Sequence, residues 1–400
     1  MKKKVLIVCH SYPPNPGVGG RRWAIFTKYL LDSDVEVHVL TKQPSSNSVS
    51  PWMTYTAGGI MHYYKNNYPS ILESNPKTVI EKINYRLALL RLKLLSSSNY
   101  YDRGVLSEKL INEKIKETLI QNKIDNLIIT GAPFSFLYYG AILNLTEKIN
   151  FIADIRDSWT SGAYFGFSGL SNNRKRTEYY RLKAVLKKAN SVIVPYPEMK
   201  ENYLELEKSS NIELWPHAVD DEMVVRKEEF QLDSENSIHL VNFGTLYDGL
   251  QGTMNSIHKS TMSNDIKIEF YTADSKYKDI FSDNNNVVYN KIIHQKEVFN
   301  LLSKPVYALY FTNENIKNYI STKYIETIAT RTPIVLVGKD GEVSKFLIDN
   351  NLGIFIDESD IEIEFNDLKH RLKKLEYNYN FDYGQYTFRI QTQRLTELLV

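Results

Sequence analysis

The chain has 400 residues, 42% hydrophobic and 24% charged, inside the ordinary range of globular proteins, so disordered, collagenous and membrane-spanning classes drop out. Lys+Arg 49 against Asp+Glu 47 leaves a formal charge of +2, which gives no bulk attraction to nucleic acid, so any basic patch is local. A single cysteine, Cys9, excludes an intrachain disulfide framework and a cysteine-based zinc site, and points to a reducing, cytoplasmic compartment.

At about 150 residues per domain, this length predicts two domains with a cleft between them. Met1-Lys2-Lys3-Lys4 before Val5–Cys9 begins like a signal peptide, but about five apolar residues fall short of the roughly 7–15 of an h-region, and the run is read as a first strand. No later run approaches the ~18–20 apolar residues of a membrane helix, so membrane contact is expected to be peripheral at most.

Short apolar runs alternate with segments of helical period, the signature of βαβ units and parallel sheets covered on both faces. Val5–Val8, Val35–Leu40, Ile60–Tyr63, Asp125–Ile129, Ile152–Ile155, Ser191–Val194 and Ile212–Trp215 read as strands, with helices at Arg21–Leu31 and Arg174–Lys188. Pro216 and the charged stretch 220–235 read as a linker. The pattern then repeats, with strands at His239–Phe243, Ile266–Tyr271, Val287–Tyr289, Val306–Tyr310, Ile334–Val337 and Gly353–Ile356. A last helix, Tyr386–Leu399, follows the completed second sheet. The expected architecture is α/β, two doubly wound Rossmann-like domains facing across a cleft: 1–218, 219–380, and 381–400 packing back on the first.

In such sheets ligands bind beyond the carboxyl ends of the strands, where helix N-termini present free N–H groups. After the first strand, His10 to Trp23 is a proline-stiffened loop closing on Gly19 and Gly20 at a helix start. It suits an anion, because glycine lets a ligand approach the backbone and Arg21 or Arg22 supplies charge-assisted bonds. The plain alternative is a loop tip whose glycines only turn the chain; the dinucleotide spacing G-x-G-x-x-G is absent. Asp154-Ile155-Arg156-Asp157-Ser158-Trp159 ends a buried strand, with Arg156 as an anion contact and Asp157 as base or charge stabiliser, or the two as a mere brace. Gly131-Ala132-Pro133-Phe134-Ser135 is a second strand-end loop with a helix cap. Asp32-Ser33-Asp34 has a metal-binding spacing but precedes a strand, at the wrong end of the sheet, and is read as a solvated turn. No metal site is expected. Lys82 to Leu95 is basic and strongly apolar, and reads either as a core-facing helix or as one lying on an anionic membrane.

The segments His10–Trp23, Phe26–Leu30 and Val35–Thr41, then Asp154–Trp159, Thr322–Ala329 with Thr332-Pro333-Ile334, and Gly341–Lys345, resemble in order and spacing the bacterial family 4 glycosyltransferases (GT-B fold) of surface-polysaccharide assembly. The resemblance implies a retaining, metal-independent enzyme without a cofactor. A nucleotide-sugar donor, UDP- or GDP-linked or alternatively CMP-linked, would sit mainly in the C-terminal domain. A glycan or lipid-linked glycan acceptor would sit in the N-terminal one; Pro133, Trp159 and His217 are the expected contacts, with His217 alternatively making only a structural hydrogen bond.

Carried over residue by residue, Gly19 and Gly20 match the loop facing the donor diphosphate, and Glu326 matches the second glutamate of the family signature, which holds the ribose. Asn318 stands where the first glutamate belongs; Glu314 lies four residues earlier, out of register. Gly244 closes the first strand of the second domain, but Thr245 and Gln251 occupy the places of the diphosphate-binding Arg and Lys. Arg22 and Lys323 are the expected substitutes. Ser321, Thr322 and the neighbourhood of His294 complete the donor set, with the His294 side chain capping the next helix; Asp157, Arg156, Asn318 and Lys323 are the expected catalytic group. The missing charges motivate one alternative, a catalytically silent glycan-binding or scaffolding partner. A nucleotide-sugar epimerase on the same scaffold is the other.

Overall fold

The computed structural model describes residues 2–15, 17–44, 58–74, 76–143, 149–160, 164–226 and 237–400. Within the expected linker, 227–235 lies outside the described residues, as does Pro16 of the first loop. The chain divides into two compact units, Met1–Pro216 with Gln391–Val400, and His217–Ile390.

In unit 1 the elements run β1 (Lys4–Val8), α1 (Val18–Asp32), β2 (Glu36–Lys42), β3 (Ile60–Tyr64), α2 (Val79–Leu95), α3 (Glu108–Asn122), β4 (Asn126–Gly131), α4 (Phe134–Ile142), β5 (Asn150–Ile155), α5 (Asn172–Lys188), β6 (Ser191–Val194), α6 (Pro197–Leu206) and β7 (Ile212–Leu214). The seven strands form one parallel sheet ordered β3-β2-β1-β4-β5-β6-β7. The central strands are apolar along nearly their whole length because helices cover both faces: every residue of β4 is buried, as are Phe151 to Ile155 of β5.

Unit 2 runs β8 (Ile238–Phe243), α7 (Gln251–Ser263), β9 (Ile266–Tyr271), β10 (Val287–Asn290), α8 (Gln295–Leu302), β11 (Tyr307–Phe311), α9 (Thr322–Ala329), β12 (Ile334–Gly338), α10 (Glu342–Asp349), β13 (Gly353–Asp357), α11 (Ile361–Asn366) and α12 (Leu368–Lys374). Its six strands are also parallel, ordered β10-β9-β8-β11-β12-β13. Both sheets reverse direction of growth beside their first strand, between β1 and β4 and between β8 and β11, which are the topological switch points.

The last helix, α13 (Phe388–Leu398), starts two residues later than its apolar period indicates, after a 3-10 turn at Gly384–Tyr386. Only Gln391–Val400, rather than all of 381–400, joins unit 1. Lys3 Nζ donates to the carbonyls of Leu399 (2.6 Å) and Thr396 (3.0 Å), and Asn150 Nδ2 to that of Leu398 (2.7 Å).

Two local departures from the sequence reading have physical causes. Helix α1 begins at Val18, not Arg21: the Arg21 N–H donates to the Gly17 carbonyl at 3.1 Å, so the glycines form the first turn. The segment containing Lys82–Leu95 is a helix, but not a core-facing one. Leu92 is its single buried residue, while the rest of its apolar side chains are exposed or only partly covered.

Candidate functional site

In unit 1 the strand-end residues converge on buried charge. Gly20 does not lie open to a ligand: a Cβ there would fall 1.6 Å from the Ser11 carbonyl oxygen, so glycine is required for the β1–α1 loop to fold onto its own helix. Gly19 is likewise occupied, since a Cβ would stand 3.0 Å from Arg156 Cζ and Nη1. The Arg156 guanidinium thus lies against the first turn of α1. Its Nη2 is 2.8 Å from Asp157 Oδ2, off hydrogen-bond geometry, and its Nε has no partner.

Arg22, 6% exposed, is more strained electrostatically. Its nearest carboxylate is Asp154 Oδ1 at 3.9 Å, its guanidinium lies over the Phe26 ring, and both Nε and Nη1 lack acceptors. Burial pulls its pKa down, against the pull of Asp154. Asp154 Oδ2 is already engaged, accepting from Trp23 Nε1 and Thr130 Oγ1, both at 2.8 Å, while Oδ1 is unpaired by hydrogen bonds. A buried guanidinium with two orphan donors is what an anionic group of a ligand would satisfy.

The neighbouring loops are braced rather than open. Trp159 is buried, stacks on Phe134 at 5.1 Å and donates to Glu178 at 2.8 Å, so its ring belongs to the core and is not offered to an acceptor. Pro133 is buried at the N-cap position of α4. The cap expected within Gly131–Ser135 comes instead from Asp102, which accepts from the N–H groups of Phe134 (2.7 Å) and Ser135 (3.2 Å) and from Ser135 Oγ (2.5 Å). Burial raises the pKa of Asp102 and of Glu178. Cys9 is buried and its thiol is pushed up to about 12, which leaves it inert. His10 is buried against Phe136 with Nδ1 2.6 Å from the Tyr64 hydroxyl, and burial pushes it down to about 3.

In unit 2, Gly244 follows β8 directly with φ +99° and faces open space, as do Gly249 and Gly252 beyond it. Thr245 and Gln251 are exposed, and bring no charge to this loop. The cation comes from α9. Lys323, in the first turn of that helix, has its Nζ 4.8 Å from the ring centre of Tyr310 and 5.4 Å from those of Tyr247 and Tyr324. Three tyrosine π-faces from the β8–α7 loop, β11 and α9 therefore cage the ammonium. Among the described residues no carboxylate pairs with it, and burial pushes it down to about 8. Beside it, Ser321 at the N-cap of α9 makes no cap bond, and its buried Oγ has no partner.

Glu326, one turn along α9, accepts from Gln295 Nε2 at 2.8 Å, which ties the carboxylate to the start of α8. An ionised carboxylate retains capacity for further donors, such as vicinal hydroxyls. His294 is the N-cap of α8, but the bond there runs from its own N–H to Glu297 Oε2 at 2.8 Å rather than from a capping imidazole. Asn318 Oδ1 accepts from the Glu342 N–H at 3.2 Å, and a Cβ on Gly341 would stand 2.8 Å from the same oxygen, so Asn318 holds the turn into α10. Glu314 is spent on an ion pair with Lys317 at 2.8 Å. His217 opens unit 2 and is partly buried.

The tyrosine cage, the Asp102 cap and the Arg156–Gly19 stack went unread in the sequence. A tyrosine beside Lys323 and another in a strand-end loop were the available signals for the first. A cavity of about 500 Å³ in unit 2 lies elsewhere, near Arg331 ahead of β12, at the amino end of that strand. Two of its arginines are engaged, Arg389 with Glu222 and Arg226 with the Tyr383 hydroxyl. Among the described residues no group of three His, Cys, Asp or Glu side chains is placed to hold a metal ion. Asp34 pairs with Lys2 at the end of α1.

No family model matches the chain, and no curated protein matches it. Solved structures do match in fold. Sucrose-phosphate synthase (tll1590) from Thermosynechococcus elongatus superposes with a TM-score of 0.64 at 12% identity, covering 99% of this chain and 98% of that one. The lipopolysaccharide outer core galactosyltransferase WaaB in its apo form gives 0.61 at 9% identity, covering 99% and 98%. UDP-GlcNAc 2-epimerase from Neisseria meningitidis bound to UDP-GlcNAc gives 0.56 at 12% identity, covering 99% of each chain. The chain therefore has the two-domain α/β fold of GT-B glycosyltransferases, a scaffold that epimerases share.

Proposed function

We propose that the chain is a glycosyltransferase of the family 4 kind, moving a sugar from a nucleotide-sugar donor to a growing surface glycan with retention of configuration and without a metal ion. The observation that carries this reading is the Lys323 ammonium, held by tyrosine rings at the N-terminus of α9 with no carboxylate partner among the described residues, beside an orphan Ser321 hydroxyl and a glycine-lined loop. A donor phosphate supplies the missing anion, and the free N–H groups of the helix add to its stabilisation.

In this reading Lys323, Ser321 and Thr322 hold the donor phosphates, Gly244 and Thr245 line the approach, and Glu326, steadied by Gln295, accepts the ribose hydroxyls. The backbone near His294 lies by the base. Asn318 acts by fixing the Gly341–Glu342 turn beside the sugar. Unit 1 takes the acceptor, with the orphan N–H groups of Arg22 and the Arg156–Asp157 pair meeting its polar and anionic groups. In the transfer the acceptor oxygen bonds to the anomeric carbon, the donor phosphate leaves with the electrons of the broken bond, and the hydroxyl proton passes to a base such as Asp157 or to the departing phosphate.

The test is release of free nucleotide from a panel of UDP-, GDP- and CMP-sugars, with and without bacterial glycan acceptors. Acceptor-dependent release from one donor is expected. Conversion of UDP-GlcNAc to its 2-epimer without acceptor would replace the transferase by the epimerase reading, which the likeness to the UDP-GlcNAc-bound epimerase favours. Absence of any turnover or nucleotide binding would leave the silent partner.

A further inference from the structure

Helix α2 carries a surface that the sheet does not use. Ile80, Ile83, Leu87, Leu90 and Leu94 recur every three or four residues along one face, and they are exposed by 71, 52, 59, 52 and 78%. Leu92, on the opposite face, is 1% exposed and seats the helix in a small core with Tyr68, Tyr100, Val105, Phe167 and Leu170.

The helix is fixed at both ends. Thr78 and Glu81 form a capping box at its start, with Thr78 Oγ1 accepting from the Glu81 N–H (3.2 Å) and Glu81 Oε2 from the Thr78 N–H (3.0 Å). At its end Arg174 donates to the carbonyls of Lys93 (2.6 Å), Ser96 (2.6 Å) and Ser98 (2.5 Å). The apolar stripe is therefore displayed on a rigid helix about 25 Å long. Exposed apolar stripes of this kind mark binding surfaces.

Charge identifies the occupant. Arg86, Arg91 and Lys93 flank the stripe, Lys82 joins them, and the only acid on the helix, Glu81, is committed to the cap. A second copy of the chain fits poorly: side-by-side pairing along the stripe would bring the flanking arginines and lysines of both helices together, and the one acid on each helix, Glu81, is held in its cap. An anionic surface satisfies both features, because the leucines enter the acyl boundary while the long basic side chains reach phosphates. We propose that α2 is an interfacial helix that docks unit 1 on an anionic lipid membrane. No helix among the described residues is long and apolar enough to cross one.

The docking helix is also wired to the strand ends. Glu178, on the same α5 as Arg174, accepts from the Asn99 N–H at 2.9 Å and from Trp159, while Asp102 of the following loop caps α4. The proposal does not rest on the transferase reading, and its test is independent of activity.

The full-length protein is sedimented with vesicles of phosphatidylcholine alone or of phosphatidylcholine with phosphatidylglycerol. Binding is expected only to the anionic vesicles, weakening as salt rises and by about fivefold for each of Arg86→Gln and Arg91→Gln. The triple variant Leu87→Ser, Leu90→Ser, Leu94→Ser should lose binding at unchanged melting temperature, since those side chains are exposed. Wild-type protein left in the supernatant with anionic vesicles overturns the proposal, and this comparison stands even if the triple variant fails to fold. So does undiminished binding by a folded triple variant, or a solution dimer that the three serines dissociate, which would make the stripe a contact between copies.

Discussion

At the scale of single residues, Lys323 places function against stability. Its ammonium is partly desolvated and lies over tyrosine π-faces, and burial pushes its pKa down from the ordinary 10.5 to about 8. Between those values the unfolded chain binds the proton that the folded one has released, so stability rises with pH through that window and the charged form is carried at a cost below pH 8. Lys323→Met should therefore raise stability at pH 7 by about 1–2 kcal/mol, allowing for partial exposure, while weakening nucleotide binding at least tenfold. Denaturant unfolding and calorimetry on one preparation check both; a destabilised variant that binds nucleotide normally contradicts the assignment. His10 gives a second pH signature. Buried and neutral, it is pushed from 6.5 to about 3, so the unfolded chain takes up its proton first and stability falls as pH drops below 6.5, by up to about 1.4 kcal/mol per pH unit. His10→Gln should flatten that acid limb in melting curves, and an unchanged slope would show that other groups set it.

At the scale of elements, the strands were legible because parallel strands buried on both faces are continuous apolar runs: Ser191–Val194 and Ile266–Tyr271 fall where the sequence puts them. Helix starts were not, because a contact in space decides them. Gly20 reads as an opening for ligand, yet it admits the Ser11 carbonyl, and the loop Gly131–Ser135 reads as holding a cap that Asp102, distant in sequence, provides. Gly20→Ala should accordingly cost at least about 2 kcal/mol, whereas Gly252→Ala in the open first turn of α7 should stabilise by about 0.5–1 kcal/mol. Equal effects in urea titrations would contradict the packing at Ser11. Asp154 at the end of β5 is the other sensitive point: Asp154→Ala leaves Arg22 buried without its nearest carboxylate and Trp23 without its acceptor, for an expected loss of about 3–5 kcal/mol. A loss below about 1 kcal/mol in the same titrations would mean that Arg22 finds compensation elsewhere.

At the scale of the whole molecule, two parallel sheets, each built outward from its first strand, were readable from the alternation of apolar runs with helical segments. The candidate donor site was readable only in outline. Lys323 and Glu326 share one helical segment and could be picked out together, but the cage around Lys323 needs Tyr247 and Tyr310 from other elements, and exposure of the α2 stripe depends on which neighbours reach it. In the proposed reading unit 2 binds a nucleotide phosphate at Lys323. The most direct measurement is the thermal shift of wild type and Lys323→Met with UDP, GDP, dTDP and CMP, since a ligand at 100 times its dissociation constant adds about 2.7 kcal/mol. One nucleotide should stabilise wild type and lose that effect in the variant. No shift with any nucleotide in folded wild-type protein, or an equal shift in both proteins, would contradict it.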